Sequence, residues 1–335
     1  MMRILLLRRG AIGDVLMTTP LVRQLRNKYP NAQIDYCVAQ SSAVALKGNQ
    51  YINNVITLAD KFFTLKGVFH FIKCMVSLRK KYDHVFILGK NWSIILLCKI
   101  LGCRLIGFAR SNLSRYILDK LVIYGNIERY QVLYYLDLLN VSALANVDYS
   151  DIKMDLYIGK TDKQKVRDML NTQGIEKFIV VTNSGGNNEF EKNGIRMLPE
   201  TKIMELLHKL DKNIPILLLG GANDKVNYDR YCSHLSSCYN IAGELNLSQS
   251  TYLLSLAQHF YVTDCGAMHM GLIAGIEHKM TCFFGPTNPK HILPQETQCR
   301  VIWGDADIYD KDYQLYGIIR EKKEYFRRID INEFV

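Results

Sequence analysis

Residues 3–7 form a short apolar run, and a turn holding Gly10 and Gly13 follows it. From Val15 the spacing is helical: Leu21, Val22, Leu25 and Tyr29 share one face until Pro30 stops the run. Residues 34–39 then read as a second strand. Strand, tight turn, helix, strand is a βαβ unit, and no other feature constrains the fold as strongly. The crossover makes the two strands run parallel, and ligands of parallel sheets bind beyond the strand C-termini. Further apolar runs at 55–58, 84–88 and 104–108 extend the same sheet, with helical segments at 68–80 and 92–101 between them. A helix at 130–139 closes the series.

Residues 141–157 are polar, acidic and weakly periodic, and they read as a linker. A second alternating series follows. Residues 177–182 are a strand, with a Gly/Asn-rich turn from Asn183 to Asn188 after it. Pro199 opens a helix carrying Ile203, Leu206, Leu207 and Leu210 at i, i+3, i+4 and i+7. A strand at 216–219 ends in Gly220-Gly221, and a helix starts from Asp224. Ser248 is the expected cap of a helix containing Leu253, Leu254 and Leu256. Residues 259–262 form a strand ending in Thr263-Asp264-Cys265-Gly266-Ala267-Met268-His269, and 280–284 form another, while the chain after Ile302 is charged and less periodic. A length of 335 residues accommodates this arrangement as two α/β domains, 1–150 and 151–335, with the ligand between them.

Composition excludes several classes. No apolar run is long enough for a membrane span, and the most apolar stretch is broken by Lys99 and Arg104. The N-terminus does not read as a signal peptide, and no hydrophobic segment follows Arg8-Arg9 as an export signal would require. Nine cysteines, scattered and without a CxxC pair, suggest reduced thiols in a cytoplasmic protein. The net charge of +10 is uneven: +12 in residues 1–150 and −2 in the remainder. The first half therefore suits an acidic partner or an anionic membrane surface, although lysines on solvated helix faces would give the same balance. No basic stripe interleaved with aromatics points to nucleic acid.

Asp14 stands between the first turn and the first helix. It reads either as a helix N-cap or as a carboxylate at the crevice mouth, where a general base belongs. Gly13 keeps that turn tight. In the second series Asn183-Ser184-Gly185-Gly186 ends a strand where backbone and hydroxyl can approach phosphate oxygens. Arg196 could reach into the same crevice or be a solvated surface cation. Asn223 and Asp224 could hold a ribose hydroxyl or cap a helix. The turn from Asp264 through Gly266, Ala267 and Met268 aims helix N–H groups at one spot, a setting for anions. His269 beside it reads by default as a buried structural histidine. Asp305-Ala306-Asp307 and Asp310-Lys311-Asp312 match a metal-binding Asp-x-Asp string but read as surface loop, and no metal site is expected.

Several ordered blocks carry a resemblance. Gly13-Asp14-Val15-Leu16-Met17-Thr18-Thr19-Pro20, Asn240-Ile241-Ala242-Gly243, Thr263 to His269, and Phe284-Gly285-Pro286-Thr287-Asn288-Pro289 together resemble the bacterial heptosyltransferases of glycosyltransferase family 9. The chain departs from that pattern at Met17, at Arg196-Met197-Leu198-Pro199, at Asn223 and at Ala267. The resemblance implies a GT-B fold, two Rossmann-like domains facing a central cleft. It places the acceptor on the N-terminal domain and the nucleotide-sugar donor on the C-terminal one, leaving open that the last segment packs back on the first. It further implies inverting, metal-independent heptose transfer from ADP-heptose to an acidic lipid A–core acceptor, with no cofactor. Asp14 would be the base, Gly13 and Arg9 would lie on the acceptor side, and Ser184, Gly185, Gly186, Arg196, Asn223, Asp264, Gly266, Ala267, Met268 and His269 would bind the donor. The protein would be cytoplasmic, with peripheral contact to the inner membrane open. Two alternatives stand beside this reading: a transferase using another nucleotide sugar, and a non-catalytic sugar-nucleotide-binding protein.

Overall fold

The computed structural model describes residues 1–125, 128–185, 194–210, 214–304, 313 and 324–333. The chain divides into two compact units, Met1–Tyr157 and Ile158–Val335.

In the first unit the elements run β1 (Arg3–Arg8), α1 (Ile12–Leu16), α2 (Thr19–Lys28), β2 (Gln33–Ala39), β3 (Asn54–Leu58), α3 (Leu65–Ser77), β4 (His84–Ile87), α4 (Trp92–Leu97), β5 (Arg104–Ala109), α5 (Asn112–Ile117), β6 (Lys120–Ile123) and α6 (Gln131–Ser142). All six strands are parallel in the order β3-β2-β1-β4-β5-β6. Ile4, Leu5, Leu6 and Leu7 of the central β1 are fully buried, because helices cover both faces of such a sheet. That is why this strand reads as a continuous apolar run with no alternation.

The second unit repeats the plan with α7 (Lys160–Thr172), β7 (Ile179–Thr182), α8 (Glu200–Leu210), β8 (Ile216–Leu218), α9 (Lys225–Cys232), β9 (Cys238–Asn240), α10 (Leu247–Leu256), β10 (His259–Thr263), α11 (Gly266–Ala274), β11 (Met280–Phe283), α12 (Pro289–Ile292) and β12 (Arg300–Ile302). Its parallel sheet runs β12-β11-β10-β7-β8-β9. Counted from the unit's own first strand this is the same order as in the first sheet. Tyr325, Phe326, Ile329 and Ile331, from the charged end of the chain, pack into this unit's own core with Ile203, Leu206 and Phe283.

Some local details differ from the sequence reading. The cap of α10 is Asn246, whose side chain accepts from the Gln249 N–H at 2.9 Å, while Gln249 Oε1 accepts the Asn246 N–H. Ser248 lies inside the first turn. Strands β6, β9 and β12 escaped the periodicity analysis, since three or four residues at a sheet edge bury too little side chain to leave a pattern. Cys232 and Cys238 are joined as a disulfide, which corrects the expectation that every thiol is reduced; the turn between α9 and β9 brings their Cα atoms to 5.0 Å. The other seven cysteines are free.

Candidate active site

In a sheet of this order the strand sequence reverses once, between β1 and β4 in the first unit and between β7 and β10 in the second. Ligands collect beyond the carboxyl ends of strands at such switch points. The candidate residues converge there in each unit.

In the first unit β1 delivers Arg8 and then the turn to α1. Asp14 sits in the first turn of that helix, at the third helical position, with Ala11 as the cap. Its Oδ2 accepts the Ala11 N–H at 3.1 Å, and its Oδ1 lies 2.7 Å from Arg8 Nη2. The capping role is therefore real but comes from within the helix. It leaves the carboxylate about 35% exposed. Gly10 makes this possible: a Cβ there would lie 2.4 Å from Asp14 Oδ2.

Lys90, beyond the end of β4, is, with Arg8, a residue the sequence reading missed. Its Nζ donates to Gln131 Oε1 at 3.3 Å and lies 3.5 Å from the centre of the Tyr124 ring, whose hydroxyl donates to the same Gln131 oxygen at 2.6 Å. Burial, then Arg8 and Arg110, push the Lys90 ammonium well below its ordinary pKa, against the pull of Asp14. Burial pushes the Asp14 carboxyl up, but the charges of Arg8 and Lys90, with hydrogen bonds from Arg8 and Ala11, outweigh it and hold the group below the usual carboxylate range. Two cations, from the ends of β1 and β4, thus act on one carboxylate, and Arg110 at the end of β5 acts in turn on Lys90. Such an excess suits an anionic ligand. A lysine three residues past a strand that pairs with β1 was the available signal, and only the strand order gives it meaning.

Arg9, expected on the acceptor side, donates to the Ala59 and Asp60 carbonyls at 2.8 and 2.7 Å and covers the Phe62 ring. Arg8 is the arginine beside Asp14. Gly13 is buried within α1.

In the second unit Thr263 ties the two switch-point strands together. Its hydroxyl donates to the Ser184 carbonyl at 2.9 Å and accepts the Ser184 N–H at 3.1 Å. Asn183 is buried and clamps the segment carrying Arg196: its Oδ1 accepts the Leu198 N–H at 2.8 Å and its Nδ2 donates to the Leu198 carbonyl at 3.0 Å. Arg196 Nη1 lies 3.7 Å from Asp264 Oδ2, which also accepts from Thr287 Oγ1 at 2.6 Å. Asp264 therefore organises its neighbours as a buried acceptor.

The N-terminus of α11 opens onto space, since a Cβ on Gly266 would meet nothing within 4 Å. Ala267, Met268 and His269 are buried behind it. Cys265 precedes the helix as a neutral thiol: burial pushes it up to about 11, against the Ala267 and Met268 N–H groups and the charge of Arg196. Asp224 is the cap of its turn, accepting the Gly221 N–H at 2.8 Å. Burial raises its pKa, while Gly221 and the Ser184 hydroxyl draw it down. Asn223 beside it is exposed. Gly185 is buried at the end of β7; Gly186 and both Asp-x-Asp strings lie outside the described residues. Among the described residues no three His, Cys, Asp or Glu side chains form a metal-ligand set.

Two Rossmann-like units, with a carboxylate among cations at one switch point and a helix N-terminus beside an arginine at the other, define the class: GT-B glycosyltransferases. The family model described as glycosyltransferase family 9 (heptosyltransferase) matches residues 72–314. Lipopolysaccharide heptosyltransferase 3 of Escherichia coli (strain K12) is 35% identical over 327 residues, 93% of this chain and 90% of the relative. Among solved structures, a glycosyl transferase family 9 protein from Veillonella parvula has a TM-score of 0.74 at 18% identity, over 90% of this chain and 85% of that one. E. coli ADP-heptose LPS heptosyltransferase II has a TM-score of 0.70 at 21% identity, over 90% of each chain. The chain belongs to glycosyltransferase family 9 and is a glycosyltransferase.

Proposed function

We propose that this protein transfers heptose, with inversion and without a metal, from ADP-heptose to the acidic core of a lipopolysaccharide or lipooligosaccharide, at the cytoplasmic face of the inner membrane. The observation that carries the reading is Asp14: a partly exposed carboxylate at a switch point, kept ionised by Arg8 and Lys90. It accepts the proton of the acceptor hydroxyl as that oxygen bonds to the anomeric carbon. The bond from the anomeric carbon to the diphosphate oxygen breaks, and ADP leaves with the electron pair. The surplus of cations around Asp14 receives the acidic groups of the acceptor, which assigns the acceptor to the first unit. Arg196, the Ser184–Gly185 turn and the N–H groups at the start of α11 compensate the charge growing on the leaving diphosphate, which assigns the donor to the second unit. The heptosyltransferase names of the two E. coli proteins above, and the ADP-heptose in the name of one of them, support the choice of sugar and nucleotide.

Asp14→Asn should lower kcat by roughly 10²- to 10⁴-fold while leaving ADP affinity unchanged in calorimetry. Undiminished turnover would remove the base. Thermal shifts with EDTA present test the donor: stabilisation by UDP-sugars and none by ADP or ADP-heptose would overturn the choice. A strict metal requirement for transfer would overturn the metal-independent step.

A further inference from the structure

Helix α3 buries Gly67, Phe71 and Met75 against the sheet. Its opposite side is unusual for a surface helix. Leu65 is 93% exposed, Phe69 69% and Val76 55%, and Phe63 just before the helix is 58% exposed. At about 100° per residue, Leu65, Phe69, Val76 and the half-buried Ile72 fall within one arc of about 60°. Such a stripe would normally face a core.

The charge around it has one sign. Between Asp60 and Asp83 the chain carries Lys61, Lys66, Lys73, Arg79, Lys80 and Lys81, all exposed, and no acidic residue. Lys66 and Lys73 flank the apolar stripe along the same edge of the helix.

We propose that this face of α3 docks on an anionic lipid bilayer, the helix lying in the headgroup plane with Leu65, Phe69 and Val76 dipped below the phosphates. An apolar stripe edged by lysines is the composition that binds lipid interfaces: apolar area enters the acyl boundary while cations meet anionic headgroups. Thirteen residues span about 20 Å, too short to cross a bilayer. Among the described residues no helix is long and apolar enough to do so. A second copy is the poorer occupant, because a two-fold contact would bring six cations against their symmetry mates with no carboxylate in the segment to offset them. The docking surface is independent of the sugar donor and of Asp14, and it is measured without either.

The test is co-sedimentation of the full chain with phosphatidylethanolamine vesicles, with and without phosphatidylglycerol. The expected result is partition onto the anionic vesicles alone, weakened by added salt. Leu65→Ser/Phe69→Ser and Lys66→Glu/Lys73→Glu should each reduce partition at least about tenfold, with unchanged circular dichroism. All four positions are exposed, and the charge-reversal pair leaves the apolar stripe untouched, so the two variants check one another. Absence of wild-type binding, equal binding to both vesicle types, or partition insensitive to both variants would overturn the proposal. So would a wild-type dimer in sedimentation velocity that Leu65→Ser/Phe69→Ser dissolves, which would assign the face to a second copy.

Discussion

Asp14 shares its oxygens between the Arg8 guanidinium and the Ala11 N–H, which fixes what it can do as pH changes. A carboxyl held below its unfolded value of 3.8 contributes stability that is complete above that pH and is lost as pH falls through the folded pKa. An acid limb of kcat/KM set by Asp14 should therefore lie below pH 3.8 in the wild type. Arg8→Met removes the largest opposing charge, and a pH profile of the variant should show that limb moved upward. Lys90 has the opposite sign. Its ammonium is disfavoured by burial and by two arginines, so an anion arriving beside it restores its affinity for a proton. Acceptor binding should then take up protons in the window between the lowered pKa and 10.5, and calorimetry in buffers of different ionisation enthalpy reads this directly. Lys90→Met should abolish that uptake and raise the acceptor KM. Asp14 was legible in the sequence because Gly10 and Gly13 place it after a strand; Arg8 and Lys90 were not, since their meeting depends on β1 pairing with β4.

At the level of elements, the second unit's site depends on a clamp that makes no ligand contact of its own in the proposed reaction. Asn183 bonds the Leu198 backbone in both directions and so fixes the segment from which Arg196 projects. Asn183→Ala leaves a buried N–H and a buried carbonyl without these partners, at a cost of about 1–3 kcal/mol. The measurable result is a raised donor KM with a smaller change in kcat, together with a lower melting temperature. The turn from Asp264 to His269 was visible as a strand end opening a helix. The job of Asp264 was not, because its partners Thr287 and Arg196 come from distant parts of the chain. An acidic residue in such a turn reads equally as a ligand contact or as a scaffold until those partners are placed.

At the scale of the molecule, the stretch read as a linker is tied down along much of its length. Arg23 of α2 pairs with Asp151 and Asp155 and donates to the Lys153 carbonyl at 2.7 Å. Gln24 donates to the Asp148 carbonyl, and the Thr19 hydroxyl accepts the Asp155 N–H. The polar, aperiodic composition that suggested a linker reflects a segment held by side chains of α2 in place of a regular backbone ladder. Arg23→Met should destabilise the first unit by about 1–3 kcal/mol, a figure discounted because Asp151 and Asp155 remain about a third exposed. A drop of about 2–4 °C per kcal/mol should appear in a thermal melt, with ADP affinity unchanged. Equal stability of the variant would mean that these pairs are surface contacts of no consequence.

What the sequence by itself determined is the class of structure: alternating apolar strands and amphipathic helices, punctuated by glycine turns, admit little but two parallel α/β units. Local spacing also located Asp14 and the α11 turn along the chain, since strand ends and helix starts are written in neighbouring residues. The tertiary structure decided which strands are adjacent, and through them which charges meet. Arg8, Lys90 and Arg110 are separated by many residues, and electrostatic influence follows distance in space. The same holds for α3: the sequence placed a helical segment at 68–80, but only the packed sheet shows that Leu65, Phe69 and Val76 point away from the core.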